Sequence, residues 1–108
     1  MEENRLTEAA MKVIMSAGDA REHCTEALQN ARKGDFEAAE ECMIKAKECI
    51  AEAHQGQTAV IQKEAAGEKQ EICLLFVHAQ DTLMTIMSEL NMAKEIIEVY
   101  KLVYKNGR

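Results

Sequence analysis

At 108 residues, with 47% apolar content and no proline, the chain holds one domain whose core needs neither metal nor disulfide staples. Aromatics are only 4% and helix formers such as Ala, Glu, Met, Lys and Leu are plentiful, which predicts an all-α fold. The formal charge of −6 is spread along the chain, which disfavours nucleic-acid binding and favours partners with basic surfaces.

The first helix is predicted over about 4–33, with Thr7 or a residue slightly upstream as its N-cap. Its apolar seam is Leu6, Ala10, Val13, Ala17, Ala20, Cys24, Ala27 and Ala31, in alternating three- and four-residue steps. Gly18, inside Ala17-Gly18-Asp19-Ala20-Arg21, costs about 1 kcal/mol relative to alanine, so close packing or a slight bend is expected there. Gly34 supplies the left-handed residue that ends the helix, and Asp35 caps the next one.

The second helix is predicted over about 36–66. Phe36, Ala39, Met43, Ala46, Ile50, Ala53, Gln57 and Val60 form one seam, with Glu and Lys on the other face. The polar dip Ala53-His54-Gln55-Gly56-Gln57-Thr58 reads either as a solvated, weakened middle or as a place where His54 or Gln57 reaches another helix. Gly67, Glu68 and Lys69 form the second connection.

The third helix is predicted over about 69–104, with Asn106-Gly107-Arg108 frayed. One seam runs through Ile72, Phe76, Ala79, Leu83, Ile86, Leu90, Ala93, Ile97, Tyr100 and Tyr104. A second, roughly opposite, contains Leu74, Val77, Met84, Met92, Val99 and Val103, with Asp81 inside it. A helix apolar on two sides is normally buried, yet two other helices cannot cover both. Self-association along Val77, Asp81, Met84 and Ser88 is the economical remedy, and it would bring copies of Asp81 together. The expected architecture is an antiparallel up-down-up bundle about 45 to 50 Å long that assembles with copies of itself.

Met1-Glu2-Glu3-Asn4-Arg5 lacks a signal pattern, and no run approaches the ~20 apolar residues of a membrane span, so a cytoplasmic location is expected. Cys24, Cys42, Cys49 and Cys73 form no Cys-x-x-Cys pair and fall in helical stretches, which favours reduced thiols acting as small hydrophobes. Glycine-rich phosphate loops, His-Glu-x-x-His, Gly-x-Ser-x-Gly and cysteine metal clusters are all absent.

Three histidines remain. His23, within Arg21-Glu22-His23, reads as a surface residue. His78 lies about 60° round the wheel from Asp81, between the two seams of the third helix, with Asp81 at i+3 and Thr82 at i+4. A neutral imidazole nitrogen there is a competent nucleophile for group transfer. Spacing alone leaves open a core histidine in a non-catalytic helical scaffold or adaptor. It also leaves a metal- or haem-binding bundle built on His78 and Asp81, although that ligand set is thin.

Five segments add a further reading: Val77-His78-Ala79-Gln80-Asp81-x-Leu83-Met84, Ala17-Gly18-Asp19-Ala20-Arg21, Gly34-Asp35-Phe36, Ala53-His54-x-x-Gln57-Thr58 and Glu64-Ala65-x-Gly67-Glu68. In order and spacing they resemble the IIA component of the lactose/cellobiose family of the phosphoenolpyruvate-dependent sugar phosphotransferase system, over nearly the whole chain. The resemblance implies a homotrimer of three-helix bundles, in which His78 accepts a phosphoryl group through Nε2 from the histidine-containing phosphocarrier protein. It also implies transfer to a cysteine of the sugar-specific IIB component, and Asp81 carboxylates that meet on the trimer axis, in some members around a divalent ion such as Mg²⁺. Thr82 departs from the pattern, since many relatives would carry a second histidine there.

Overall fold

The computed structural model describes residues 2–67 and 73–107. They form three helices: α1 (Glu2–Arg32), α2 (Phe36–Ala65) and α3 (Leu74–Gly107). The molecule is all-α, an antiparallel three-helix bundle in which α1 packs along both other helices while α2 and α3 meet over a shorter length.

The core follows the predicted seams. Every seam residue of α1 is buried, and five of the eight are alanines with no exposed surface. Such small side chains let helix axes approach to the short end of the usual range of about 8–10 Å. In α2, Ala39, Met43, Ala46 and Ala53 are buried, while Phe36, Ile50, Gln57 and Val60 are half-buried. Phe76, Ala79, Leu83, Ile86, Leu90, Ala93 and Ile97 complete the core from α3. Among the described residues, none of the buried ones is polar or charged.

Gly34 adopts φ +88° and closes the end of α1, with its N–H donating to the Ala31 carbonyl at 3.0 Å. The Asp35 carboxylate then caps α2 by accepting from the Ala38 N–H at 3.2 Å. Tyr104 locks this corner. Its hydroxyl donates to the Arg32 carbonyl at 2.7 Å, and its ring meets Phe36 edge to face with centroids 5.5 Å apart. A carbonyl left over at the end of α1 is thereby satisfied from the far end of the chain.

Several boundaries differ from expectation. α1 begins at Glu2, two residues before the expected start near residue 4, because nothing upstream of Thr7 breaks the helix. α3 begins at Leu74, after a turn in which the Cys73 carbonyl accepts from the Val77 N–H at 3.1 Å. The predicted start near residue 69, with Glu68, Lys69 and the seam residue Ile72, lies outside the described residues. At the other end α3 continues through Asn106 to Gly107, where fraying was expected, since Tyr104 anchors the last turns. Arg108 lies outside the described residues. The longest dimension is 59 Å, above the expected 45 to 50 Å. α3 alone has 34 residues, about 51 Å of helix, and turns extend past the ends.

The two unexplained glycines resolve differently. Gly56, in the polar dip of α2, sits where an added β-carbon would meet Val13 Cγ2 at 3.3 Å, so the dip marks a close approach of α2 to α1 and the helix runs through it unbroken. His54 points to solvent, with Nδ1 3.3 Å from the Thr58 hydroxyl. Gln57 turns inward, its Oε1 buried without a hydrogen-bond partner. Gly18 is not a close-packing site within the chain, because a β-carbon there would have no heavy atom within 4 Å.

Candidate functional site

The second seam of α3 is uncovered. Leu74, Val77, Met84, Met92, Val99 and Val103 are all exposed, Met84 to 60% and Val99 to 57%. Asp81 and Ser88 stand exposed in the same strip. A contiguous apolar strip of this length on a 108-residue chain is the mark of an interaction surface.

His78 lies at the edge of that strip and is exposed, while its neighbour Ala79 is fully buried and fixes the helix against the core. Thr82 does not engage the imidazole. Its hydroxyl donates to the His78 backbone carbonyl at 2.9 Å, one turn back along α3. Among the described residues no ion pair or hydrogen bond joins the His78 ring to Asp81 or Thr82, so the i+3 and i+4 neighbours flank the imidazole without engaging it. A solvent-facing imidazole on a rigid helix, with no hydrogen-bond or ion-pair partner among the described residues, can meet a reacting group from another molecule.

Above His78 the surface between α1 and α3 opens into a groove of about 600 Å³, lined by Arg21, Thr25 and Leu28 on one wall and Thr85, Glu89 and Met92 on the other. Arg21 spans it with a two-pronged bond to Glu89, Nε to Oε1 at 2.9 Å and a terminal nitrogen to Oε2 at 2.8 Å. That bond holds the guanidinium proton more tightly than usual. Cys24, beneath the pair, has its thiol pushed up by burial and further by the Glu89 charge. The Cys49 thiol on α2 is raised by burial first, then by Asp19, Glu52 and Glu48. All four cysteines are free.

The other predicted positions do not join His78. His23 is half-buried and pairs with Glu26 one turn along α1, Nδ1 to Oε1 at 3.4 Å. His54 stays on the outer face of α2. Among the described residues no group of three or more His, Cys, Asp or Glu side chains is gathered for a metal ion, and no helix is long and apolar enough to cross a membrane. Sequence reading missed the Arg21–Glu89 bridge, a contact across 68 positions that no local spacing reveals. It also passed over Met11, Ile14 and Met15, whose i, i+3, i+4 spacing outside the main seam of α1 signals a second apolar face.

Residues 8–101 match the family described as "PTS system, Lactose/Cellobiose specific IIA subunit". The lichenan-specific phosphotransferase enzyme IIA component of Bacillus subtilis is 45% identical over 92 residues, spanning 85% of this chain and 84% of that protein. The crystal structure of the cellobiose-specific enzyme IIA from Bacillus anthracis superposes with a TM-score of 0.89 at 45% identity, covering 93% of this chain and 92% of the other. A chain in solution structures of the IIA(Chitobiose)–HPr complex of the Escherichia coli N,N'-diacetylchitobiose branch matches with a TM-score of 0.81 at 36% identity, over 92% of this chain and 96% of that one. With a family match across residues 8–101 and the same three-helix fold in solved members, this chain belongs to the lactose/cellobiose-specific IIA family of the phosphotransferase system.

Proposed function

We propose that this chain is a phosphoryl relay in the uptake of a lactose- or cellobiose-type sugar, with His78 as the covalent carrier. Its Nε2 attacks the phosphorus of the phosphohistidine on the phosphocarrier protein HPr. An N–P bond forms on His78 as the donor's N–P bond breaks, and the donor imidazole leaves neutral once it has taken a proton from solvent. The phosphoryl group then passes to the thiolate of a IIB cysteine, where a P–S bond replaces the N–P bond and His78 is restored. Positioning and electrostatics supply most of the catalysis in such transfers. The observation that carries this reading is the exposed imidazole of His78, without a side-chain partner among the described residues, on a helix of a IIA-family chain. The solved complex of a IIA relative with HPr supports the donor.

The uncovered seam of α3 supports a homotrimer in which three such helices meet and the Asp81 carboxylates face one another. One carboxylate per chain is no metal site, but three around an axis, with water, match the oxygen donors that Mg²⁺ prefers. Asp81 of each copy would hold that ion, which would neutralise the gathered negative charge. Free thiols and the absence of a spanning helix among the described residues fit work in the cytoplasm.

The test is intact mass after incubation with phosphoenolpyruvate and the general phosphotransferase proteins. The wild type gains one acid-labile phosphate. His78→Ala or His78→Gln gains none, with helicity and oligomer size unchanged because the side chain is exposed. Continued phosphorylation of the mutant would assign the relay to another histidine.

A further inference from the structure

Local spacing casts Thr7 as a helix cap, but α1 begins at Glu2, so this threonine stands exposed inside the helix and caps nothing. Threonine is a weaker helix former than the alanine, glutamate and lysine around it. Its place opposite α3 gives it a use.

Arg21 on Glu89 sets α1 and α3 side by side in parallel register, and Tyr104 on Arg32 keeps the same sense at the far end. Seven residues make nearly two turns on both helices. The pairing therefore recurs one heptad down at Ile14 and Thr82, and two heptads down at Thr7 and Leu75. Burial agrees with this register: Ile14, Leu75 and Thr82 are half-buried, the first two packed against the core. At the same end the fully buried Ala10 and Ala79 let the axes approach to about 8–10 Å. A helical side chain covers the turn on the N-terminal side of its own Cα, so the His78 imidazole leans back to the level of Leu75 and away from Thr82. Thr82 accordingly bonds the His78 backbone carbonyl and not the ring. The level of Leu75 on α1 is Thr7.

We propose that the Thr7 hydroxyl donates a hydrogen bond to an oxygen of the phosphoryl group while that group is on, or moving to and from, Nε2 of His78. This rests on the relay reading above. A phosphoryl group in transfer spreads its charge over three equatorial oxygens, and a donor fixed beside them lowers the barrier without forming or breaking a bond itself. The heptad stripe Thr7, Ile14, Arg21 and Leu28 carries two side-chain donors. Arg21 lies two heptads from Thr7, about 21 Å along α1, and is held by Glu89. Thr7 is the one at the level of the imidazole. Ile14 and Leu75 beside it are apolar, so water competes less for the phosphoryl oxygens on that side.

Thr7→Val removes the hydroxyl and keeps the branched shape, whereas Thr7→Ser keeps the hydroxyl. Phosphoryl transfer is followed against the concentration of phosphorylated phosphocarrier, the phosphohistidine signal is recorded by phosphorus NMR, and thermal melting is run on each variant. Thr7→Val should lower kcat roughly ten-fold, the order expected for losing one hydrogen bond to a charged group, with KM nearly unchanged. Its phosphorus signal should shift from the wild-type position, and Thr7→Ser should restore both rate and signal. Wild-type kcat and signal in Thr7→Val would overturn the proposal while leaving the relay intact. A raised KM with unchanged kcat would overturn it too, since Thr7 would then touch the donor protein and not the phosphoryl group. Equal losses in Thr7→Val and Thr7→Ser would trace the effect to the helix and have the same consequence. If Thr7→Val fails to fold, Thr7→Ala, which favours the helix, takes its place with the same expected outcomes. A wild type that takes up no phosphate at all would instead defeat the relay reading itself.

Discussion

Cys24 is only 5% exposed, and burial together with Glu89 raises its thiol pKa above the unfolded value. Above about pH 8.5–9 the unfolded chain releases this proton first, so the native state binds more protons and stability falls as pH rises toward the folded pKa. Below that window the contribution is fully present. The slope for one group cannot exceed about 1.4 kcal/mol per pH unit. Urea unfolding at pH 8 and pH 10 should therefore show a larger loss for the wild type than for Cys24→Ala, with Cys49 contributing equally to both. Equal losses would mean that the thiol is not held neutral by the fold. The same burial keeps Cys24 slow to alkylate in the native protein, whereas all four cysteines should react in denaturant without added reductant.

The α1–α2 corner shows how a local signal and a distant contact share one element. Gly34→Ala would force an alanine into φ +88° and drive its methyl into the Tyr104 ring, whose Cε1 lies 2.7 Å from that position. The left-handed backbone alone costs about 1–2 kcal/mol, so a larger loss is expected, read as a lowered melting temperature. Tyr104→Phe keeps the ring against Phe36 but leaves the Arg32 carbonyl without its hydroxyl donor, a loss of about 0.5–1.5 kcal/mol. Amide exchange should quicken in the last turns of α3 and stay slow around Leu83. Uniform change along α3 would show that Tyr104 does not anchor its end. Gly34 and Asp35 were legible from sequence because turn and cap chemistry is local, and the seams were legible because burial repeats every three to four residues. Tyr104 on Arg32 and Arg21 on Glu89 were not, since their partners lie 72 and 68 positions away. Gly18 was legible as an anomaly, but its cause depends on what surrounds it in space.

At the scale of the whole molecule, the uncovered face of α3 sets hydrophobic gain against charge. Burying Val77, Met84, Met92, Val99 and Val103 between copies removes apolar surface from water at about 25 cal/mol per Å². In the proposed assembly Asp81 would be carried into the same contact, and carboxylates gathered there would repel unless a cation, shared protons or water compensated them. If a cation does so, chelation should weaken the assembly; if shared protons do, raising the pH should. Asp81→Leu removes the conflict and extends the apolar seam, so the assembly should be as tight as the wild type or tighter, insensitive to chelator and pH. A buried polar group that costs stability can still fix register, as a buried asparagine does in coiled coils. The leucine variant is therefore expected to relay phosphate less well if the grooves beside His78 shift with a new register. Sedimentation equilibrium on Asp81→Leu decides the matter. Dissociation to monomers would mean that Asp81 makes specific attractive contacts between copies, and the account based on repulsion would have to be given up.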